Sequence, residues 1–243
     1  MKSIPKPARP VAPATVTSLT VDTLSEQSIS ERIVSAVMEH RLPAGTKLAE
    51  IALSESFGTT RQRIRRVLLI LAERGIVELH ANRGAFVASP TREDARNVFQ
   101  ARCTIEPTIV RNAIHRISDR QIGKLVDLVR QEEAASKAGR RHDMIRLSGQ
   151  FHVALAEFAG NSVLQRFVED LVARSSLIIG LFGSTRLTHC SADEHSLLIE
   201  AIRERNLEGA PGAMVEHLKH IESALELNDK SEAPVDLKSI FGA

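Results

Sequence analysis

Apolar positions recur at helical spacing through the first third of the chain and then change period. Ser28-Ile29-Ser30-Glu31 has the Ser-x-x-Glu spacing of a capping box, and Ile33, Val34 and Val37 follow it, predicting a helix to about His40. Leu42-Pro43-Ala44-Gly45 breaks that pattern. The stretch from Leu48 to Phe57 predicts a second, short helix ended by Gly58. Thr59 or Thr60 caps a third, whose apolar face is Ile64, Val67, Leu68 and Leu71 and whose stop is Gly75. After Gly75 the period shortens. Ile76-Val77-Glu78-Leu79-His80 and Ala85-Phe86-Val87-Ala88 flank the turn-forming Ala81-Asn82-Arg83-Gly84 and predict a β-hairpin.

From Thr91 onward the pattern predicts helices only. The first is long, carries Val98, Arg102, Ile105 and Ile109 on one stripe, and has Pro107 inside it. Ser118-Asp119 caps a second that runs to about Lys137, and a third ends at Phe158 before Ala159-Gly160-Asn161. Further helices are expected over residues 162–182, 193–203 and 211–227, the last with Pro211 at its first position. The expected architecture is mostly α. A winged helix-turn-helix with a small β-hairpin wing occupies residues 28–90, and an all-α bundle occupies residues 91–228. Residues 1–27 are expected to form a disordered basic arm and residues 229–243 a flexible tail.

Composition narrows the function classes. With 43% hydrophobic and 26% charged residues the chain can bury cores and stay in solution. No apolar run approaches the ~20 residues that span a bilayer, so no membrane role is expected and the cytoplasm is the expected location. Cys103 and Cys190 are the only cysteines and lack CxxC spacing, which excludes a disulfide framework or thiolate zinc site. The net charge of +2 conceals an asymmetry: residues 31–90 hold nine basic against six acidic side chains, whereas residues 91–243 hold 20 against 22. Arg61, Arg63, Arg65 and Arg66 concentrate that excess on one predicted helix, a field that attracts phosphate. A basic run alone is often only a solvated surface; the hairpin beside it favours nucleic acid.

The bundle carries histidines on apolar faces. His195 heads the stripe His195, Leu198, Ile199, Ile202, His217 lies between Met214 and Ile221, and His152 adjoins the stripe of Phe151, Leu155 and Phe158. A single buried histidine is ordinarily a hydrogen-bonded core residue; three from three helices are how a bundle builds a metal site. Glu194 adjoins His195, but consecutive helical positions face different ways. Arg102 faces the same interior and needs a partner, either Glu106 or the carboxylate of a small ligand. Arg186 and His189 are lesser candidates on a loop.

Several motifs resemble one family in order and spacing. Leu42-Pro43-x-Gly45-x-x-Leu48-x-Glu50, Gly58-x-Thr60-Arg61-x-x-Ile64-Arg65-x-x-Leu68-x-x-Leu71-x-x-x-Gly75 and Asn82-Arg83-Gly84-Ala85-x-Val87 resemble the GntR-type winged helix-turn-helix. Phe99-x-x-Arg102-x-x-x-Glu106, Phe151-His152-x-x-Leu155, Glu194-His195 and Met214-x-x-His217-Leu218 resemble the FCD domain of the FadR subfamily. The resemblance implies a homodimeric transcriptional regulator, ordinarily a repressor. Its partners would be a palindromic double-stranded DNA operator and a small carboxylate metabolite.

It assigns Thr60, Arg61 and Arg65 to the operator, with Gln62 and Arg63 as base-reading positions of this chain and Asn82, Arg83 and Gly84 in the wing. It makes His152, His195 and His217 the ligands of a divalent metal, zinc for nitrogen donors. Ser148 stands where the resemblance expects an aspartate, four residues before His152, and a hydroxyl weakens that site. Arg102 and Ser148 are then effector contacts. Ile51 replaces an expected arginine, and Thr60-Arg61-Gln62-Arg63 replaces Ser-Arg-Thr-Pro. No nucleophile triad or glycine-rich phosphate loop supports an enzyme, so a metal-dependent hydrolase or lyase on the bundle is only the alternative.

Overall fold

The computed structural model of the chain describes residues 24–184 and 191–227. The expected tail, most of the expected arm, Arg186 and His189 lie outside those residues. Helix α1 (Glu26–Met38) begins earlier than the capping-box spacing predicts. Ser25, not Ser28, is its N-cap, the Ser25 hydroxyl accepting the Ser28 N–H at 3.0 Å. Glu31 instead accepts from the Gln27 side-chain amide. Ile29 is buried on one stripe with Ile33 and Val37.

Strand β1 (Lys47–Leu48), helix α2 (Glu50–Ser56), helix α3 (Arg61–Glu73) and strands β2 (Val77–His80) and β3 (Gly84–Val87) follow. The wing is therefore three-stranded, ordered β1-β3-β2 and antiparallel throughout, with Lys47 opposite Phe86 and His80 opposite Gly84. Sequence periodicity missed β1 and assigned Leu48 to a helix, because two residues are too few to show an alternation. Thr60 is the N-cap of α3, accepting the Arg63 N–H. Ile64, Val67, Leu68 and Leu71 turn inward against Ile29, Ile33 and Val37 as their spacing predicts.

Six helices make the rest: α4 (Arg92–Arg116), α5 (Asp119–Lys137), α6 (Arg141–Phe158), α7 (Ser162–Phe182), α8 (Ser191–Arg203) and α9 (Gly209–Ser223). Helix α4 continues through the buried Pro107. Helix α9 starts at Gly209, so Pro211 occupies its first turn and not its first position; N–H groups there have no intrahelical acceptor, and the ring costs no bond. It ends at Ser223, short of the predicted 227, and Leu225 pairs with Gly183 in an isolated bridge. Thr91 and Asp94 form a reciprocal capping box at the start of α4. Thr91→Ala is expected to lower stability by ~1 kcal/mol, measured by urea denaturation.

The winged unit rests directly on the bundle. Ala173 and Leu177 of α7 belong to the winged unit's core, Arg74 pairs with Asp170 at 2.6 Å, and the Ser176 hydroxyl donates to the Met38 carbonyl at 3.3 Å. Helix α7 thus serves two cores.

Candidate metal centre, effector cavity and nucleic-acid interface

Helices α6, α8 and α9 bring His152, His195 and His217 together at the centre of the bundle, each no more than 2% exposed. Their Nε2 atoms lie 3.3 Å (His152 to His195), 3.1 Å (His195 to His217) and 3.3 Å (His152 to His217) apart. Each Nδ1 meets a carboxylate on another helix: Glu106 of α4 at 2.6 Å from His152, Glu132 of α5 at 2.8 Å from His195, and Glu194 of α8 at 2.7 Å from His217. Phe151 stacks on His195 with ring centroids 4.1 Å apart and fixes that ring's plane.

This wiring fixes the protons. A carboxylate can only accept, so each Nδ1 carries the hydrogen and each Nε2 presents a lone pair. Burial lowers the His152 pKa to about 4 and that of His217 well below its usual value, the latter helped by His195 and His152. For Glu106 burial acts upward, but the Arg102 guanidinium and then His152 outweigh it and bring the pKa to about 2. Three lone pairs that converge this closely repel one another unless a cation lies among them. Nitrogens about 2.0–2.1 Å from one zinc in tetrahedral array stand ~3.3 Å apart, which matches the observed spacing. The donor set fits a metal: three imidazole nitrogens, each oriented by an outer carboxylate.

Sequence reading found the histidines and Glu106 but missed the roles of Glu132 and Glu194. Glu132 was legible, since it continues the inward stripe of Ile122, Leu125 and Val129. The expectation for Glu194 is corrected: it does diverge from the His195 Nε2, yet it reaches His217 from outside the cluster. It also contacts His220.

Arg102 is 3% exposed. Its Nε donates to Glu106 at 2.6 Å and its Nη1 to the Ser175 hydroxyl at 3.3 Å. Its Nη2 is buried and has no partner among the described residues. Arg102, Ser148, Gly149, His152, Ser175 and Ser176 line a cavity of ≈ 40 Å³. That is room for roughly three water-sized groups at ~10–15 Å³ each, about the size of a carboxylate with a short substituent. Ser148 thus faces the cavity one helical turn before His152, where the motif spacing put it.

The candidate DNA-contact residues lie exposed on the winged unit except for the half-buried Arg63, and their side chains differ in what holds them. Arg65 forks onto Glu50 of α2, Nε at 3.0 Å and Nη2 at 2.9 Å, while Arg61 stands 3.8 Å from the same carboxylate. Arg66 pairs with Glu26. The Arg63 Nη1 donates to the Thr59 hydroxyl at 3.4 Å, and Gln62 is exposed. The Thr60 hydroxyl caps α3. In the wing, Asn82 and Gly84 take positive φ of 60° and 93°, and Arg83 lies over the Phe86 ring at 5.5 Å with Lys47 at 6.0 Å. The turn thereby presents its cations outward.

Comparison with known proteins agrees with this architecture. Residues 25–87 match the gntR family of bacterial regulatory proteins, and residues 97–220 match the FCD domain. The HTH-type transcriptional repressor RspR of Escherichia coli K12 is 26% identical over 196 residues, 80% of this chain and 86% of its own length. The Uxu operon regulator of Haemophilus influenzae is 26% identical over 231 residues, 88% of this chain and 84% of its own. Among solved structures, E. coli McbR/YncC superposes with a TM-score of 0.72 at 16% identity, covering 80% of this chain and 93% of that one, a likeness of fold. These relatives are regulators, and the hydrolase or lyase alternative finds no support among them. Among the described residues no helix is long and apolar enough to cross a membrane. The chain belongs to the GntR family of bacterial transcriptional regulators: a DNA-binding, non-enzymatic regulator with a winged helix-turn-helix followed by an FCD effector domain, in the FadR-like arrangement.

Proposed function

We propose that this regulator is a cytoplasmic homodimeric repressor that grips a palindromic operator and is controlled by a small organic acid bound in the Arg102 cavity beside a zinc or other divalent ion. Residues 28–90 act as the DNA-binding domain and residues 91–228 as the effector and dimerisation domain. The observation that carries the effector reading is the orphaned Nη2 of Arg102, a buried charged donor in a cavity beside three converging histidine nitrogens. A buried guanidinium with an unused donor is satisfied by a carboxylate oxygen.

His152, His195 and His217 hold the metal, which supplies a second positive centre for the acid. Glu106, Glu132 and Glu194 keep those rings oriented. Ser148 offers the acid a hydroxyl contact in place of a carboxylate that would repel it. On the DNA side Thr60, Arg61, Gln62, Arg63 and Arg65 approach the major groove, and Asn82, Arg83 and Gly84 bring the wing to the backbone or minor groove. A dimer places two such units to match a two-fold operator. Repression accords with the name of the E. coli relative. The acid regulates by binding unequally to the DNA-competent and DNA-incompetent states.

The test is selection of sheared genomic DNA by the purified protein at physiological salt, followed by titration of the recovered fragment with short carboxylic acids. A few palindromic fragments are expected, with at least one acid shifting their affinity about fivefold or more. Arg102→Lys, which keeps the charge and loses the fork, is expected to retain DNA binding and lose the acid response. No enrichment, or an undiminished acid response in R102K, overturns the reading.

A further inference from the structure

The effector cavity and the DNA-binding unit share a wall. Gly149 and Ser176 line the cavity from α6 and α7, and the same two residues support the end of α1 from behind. A Cβ on Gly149 would stand 3.0 Å from the Met38 Cε and 2.9 Å from the Val172 Cγ1. The Ser176 hydroxyl holds the Met38 carbonyl at 3.3 Å. Two residues on, His40 takes a left-handed φ of 53°, which turns its side chain back onto the bundle. Its ring stacks on His142 of α6, centroids 4.9 Å apart and 20° from parallel. On α7 it lies so close to Gly180 that a Cβ there would be 2.5 Å from the ring Cε1 and 2.7 Å from Nδ1. The His40 Nε2 is buried with no hydrogen-bond partner among the described residues. Burial, then His142 and Arg141, push its pKa down to about 4, so the ring sits there as a neutral packed wedge.

A non-glycine residue in the left-handed region with an unsatisfied buried nitrogen is a strained arrangement, held only by what surrounds it. Here the surroundings are α6 and α7, the helices that carry His152, Gly149, Ser175 and Ser176 into the cavity. From this geometry we infer that the Met38–His40 corner is the coupling element of the regulator: occupation of the cavity displaces α6 against α7, and the wedged His40 ring and the Met38 carbonyl pass that displacement to α1. Helix α1 packs on the recognition helix α3 through Ile29, Ile33, Leu68 and Leu71 in one core, so the displacement reaches the operator-reading face without a loop between. This inference rests on the proposal that the Arg102 cavity is the effector site.

The test is a double-mutant cycle on operator affinity with no acid present, using the genomic fragment that wild-type protein enriches most. Gly180→Ala places a methyl group where the His40 ring lies; it is expected to change operator affinity by about tenfold, as an effector does, from a position on α7 of the bundle. In the His40→Gly background, whose backbone keeps the positive φ without a ring, the same G180A substitution is expected to change affinity less than about twofold. Equal shifts in both backgrounds, or no shift from G180A in wild type, overturn the inference. If G180A does not fold, as judged by circular dichroism and melting, Ser176→Ala replaces it. That variant is expected to change operator affinity in wild type, and unchanged affinity overturns the inference equally. Failure of the cavity reading looks different: the wild-type operator complex ignores every acid in the panel while the G180A effect and its suppression by H40G persist.

Discussion

His195→Ala is expected to reduce bound zinc from about one equivalent per chain to background and to lower the melting temperature of the metal-free protein as well. The first effect follows from geometry: the three Nε2 atoms stand 3.1–3.3 Å from one another, so His195 supplies one third of the donor set. Its loss leaves two donors, too few to compete with water for a borderline metal. The second effect comes from Glu132, whose carboxylate is 1% exposed and is held by the His195 Nδ1 at 2.8 Å. Removing the imidazole takes this donor from a buried carboxylate, a change that typically costs about 1–3 kcal/mol. For a chain of this size that corresponds to a shift of roughly 2–12 °C. Elemental analysis of protein purified without chelator or affinity tag, beside calorimetry of the same samples, reads both. Glu132→Gln separates orientation from ligation: it keeps all three nitrogens and is expected to weaken metal binding by about 10–100-fold. A metal-free wild type that still releases DNA on addition of an acid would retire the metal centre as a functional element.

Arg65→Ala is expected to weaken operator binding by about 10–100-fold with little change in which sequence is preferred. The reason is the Glu50 fork. With Nε and one Nη2 hydrogen engaged on the two Glu50 oxygens, the guanidinium is held in one orientation and partly neutralised, and it presents its Nη1–Nη2 edge outward, a two-nitrogen pair that matches paired phosphate oxygens. On the proposed interface Arg65 is expected to act as a phosphate clamp. The slope of log affinity against log salt should therefore fall by about one unit in the variant. Arg61 and Arg63 lack such a fork and are expected, on truncation, to relax the preference at single base pairs. A base-specific loss in Arg65→Ala with an unchanged salt slope would reverse these assignments. The salt bridge itself contributes little to stability, because the Arg65 side chain is 65% exposed; its consequence is orientation. Glu50→Gln accordingly should affect DNA binding more than melting.

Both predictions rest on pairs that linear pattern conveys unevenly. The three histidines were legible because each sits on an apolar helical stripe, and a stripe states which way a residue faces. Glu132 was equally legible by that rule, though overlooked. Glu194 was not, because its partner His217 lies on another helix and the two meet only when α8 and α9 pack. The Glu50 fork joins residues whose separation, 15 positions, carries no periodic signal. The same holds for the end of α1. Spacing predicted a helix to about His40, but the left-handed turn at His40 and its wedge against Gly180 depend on where α6 and α7 pass.

By itself the sequence determined the elements and their order: helical and alternating periods, caps at Thr59 or Thr60 and at Ser118, and glycine stops at Gly58 and Gly75 are local physics, written within a few residues of where they act. It also determined the chemical inventory, three inward imidazoles, an inward guanidinium and a basic third helix. The tertiary structure decided the rest. It made Ser25 and not Ser28 the first cap, added β1 to the wing through pairing with β3, and gave each histidine a different glutamate. It left one nitrogen of Arg102 without a partner and set the winged unit on α7. Those outcomes depend on distances between segments far apart in the chain, and such distances are fixed by packing, which no short-range pattern encodes.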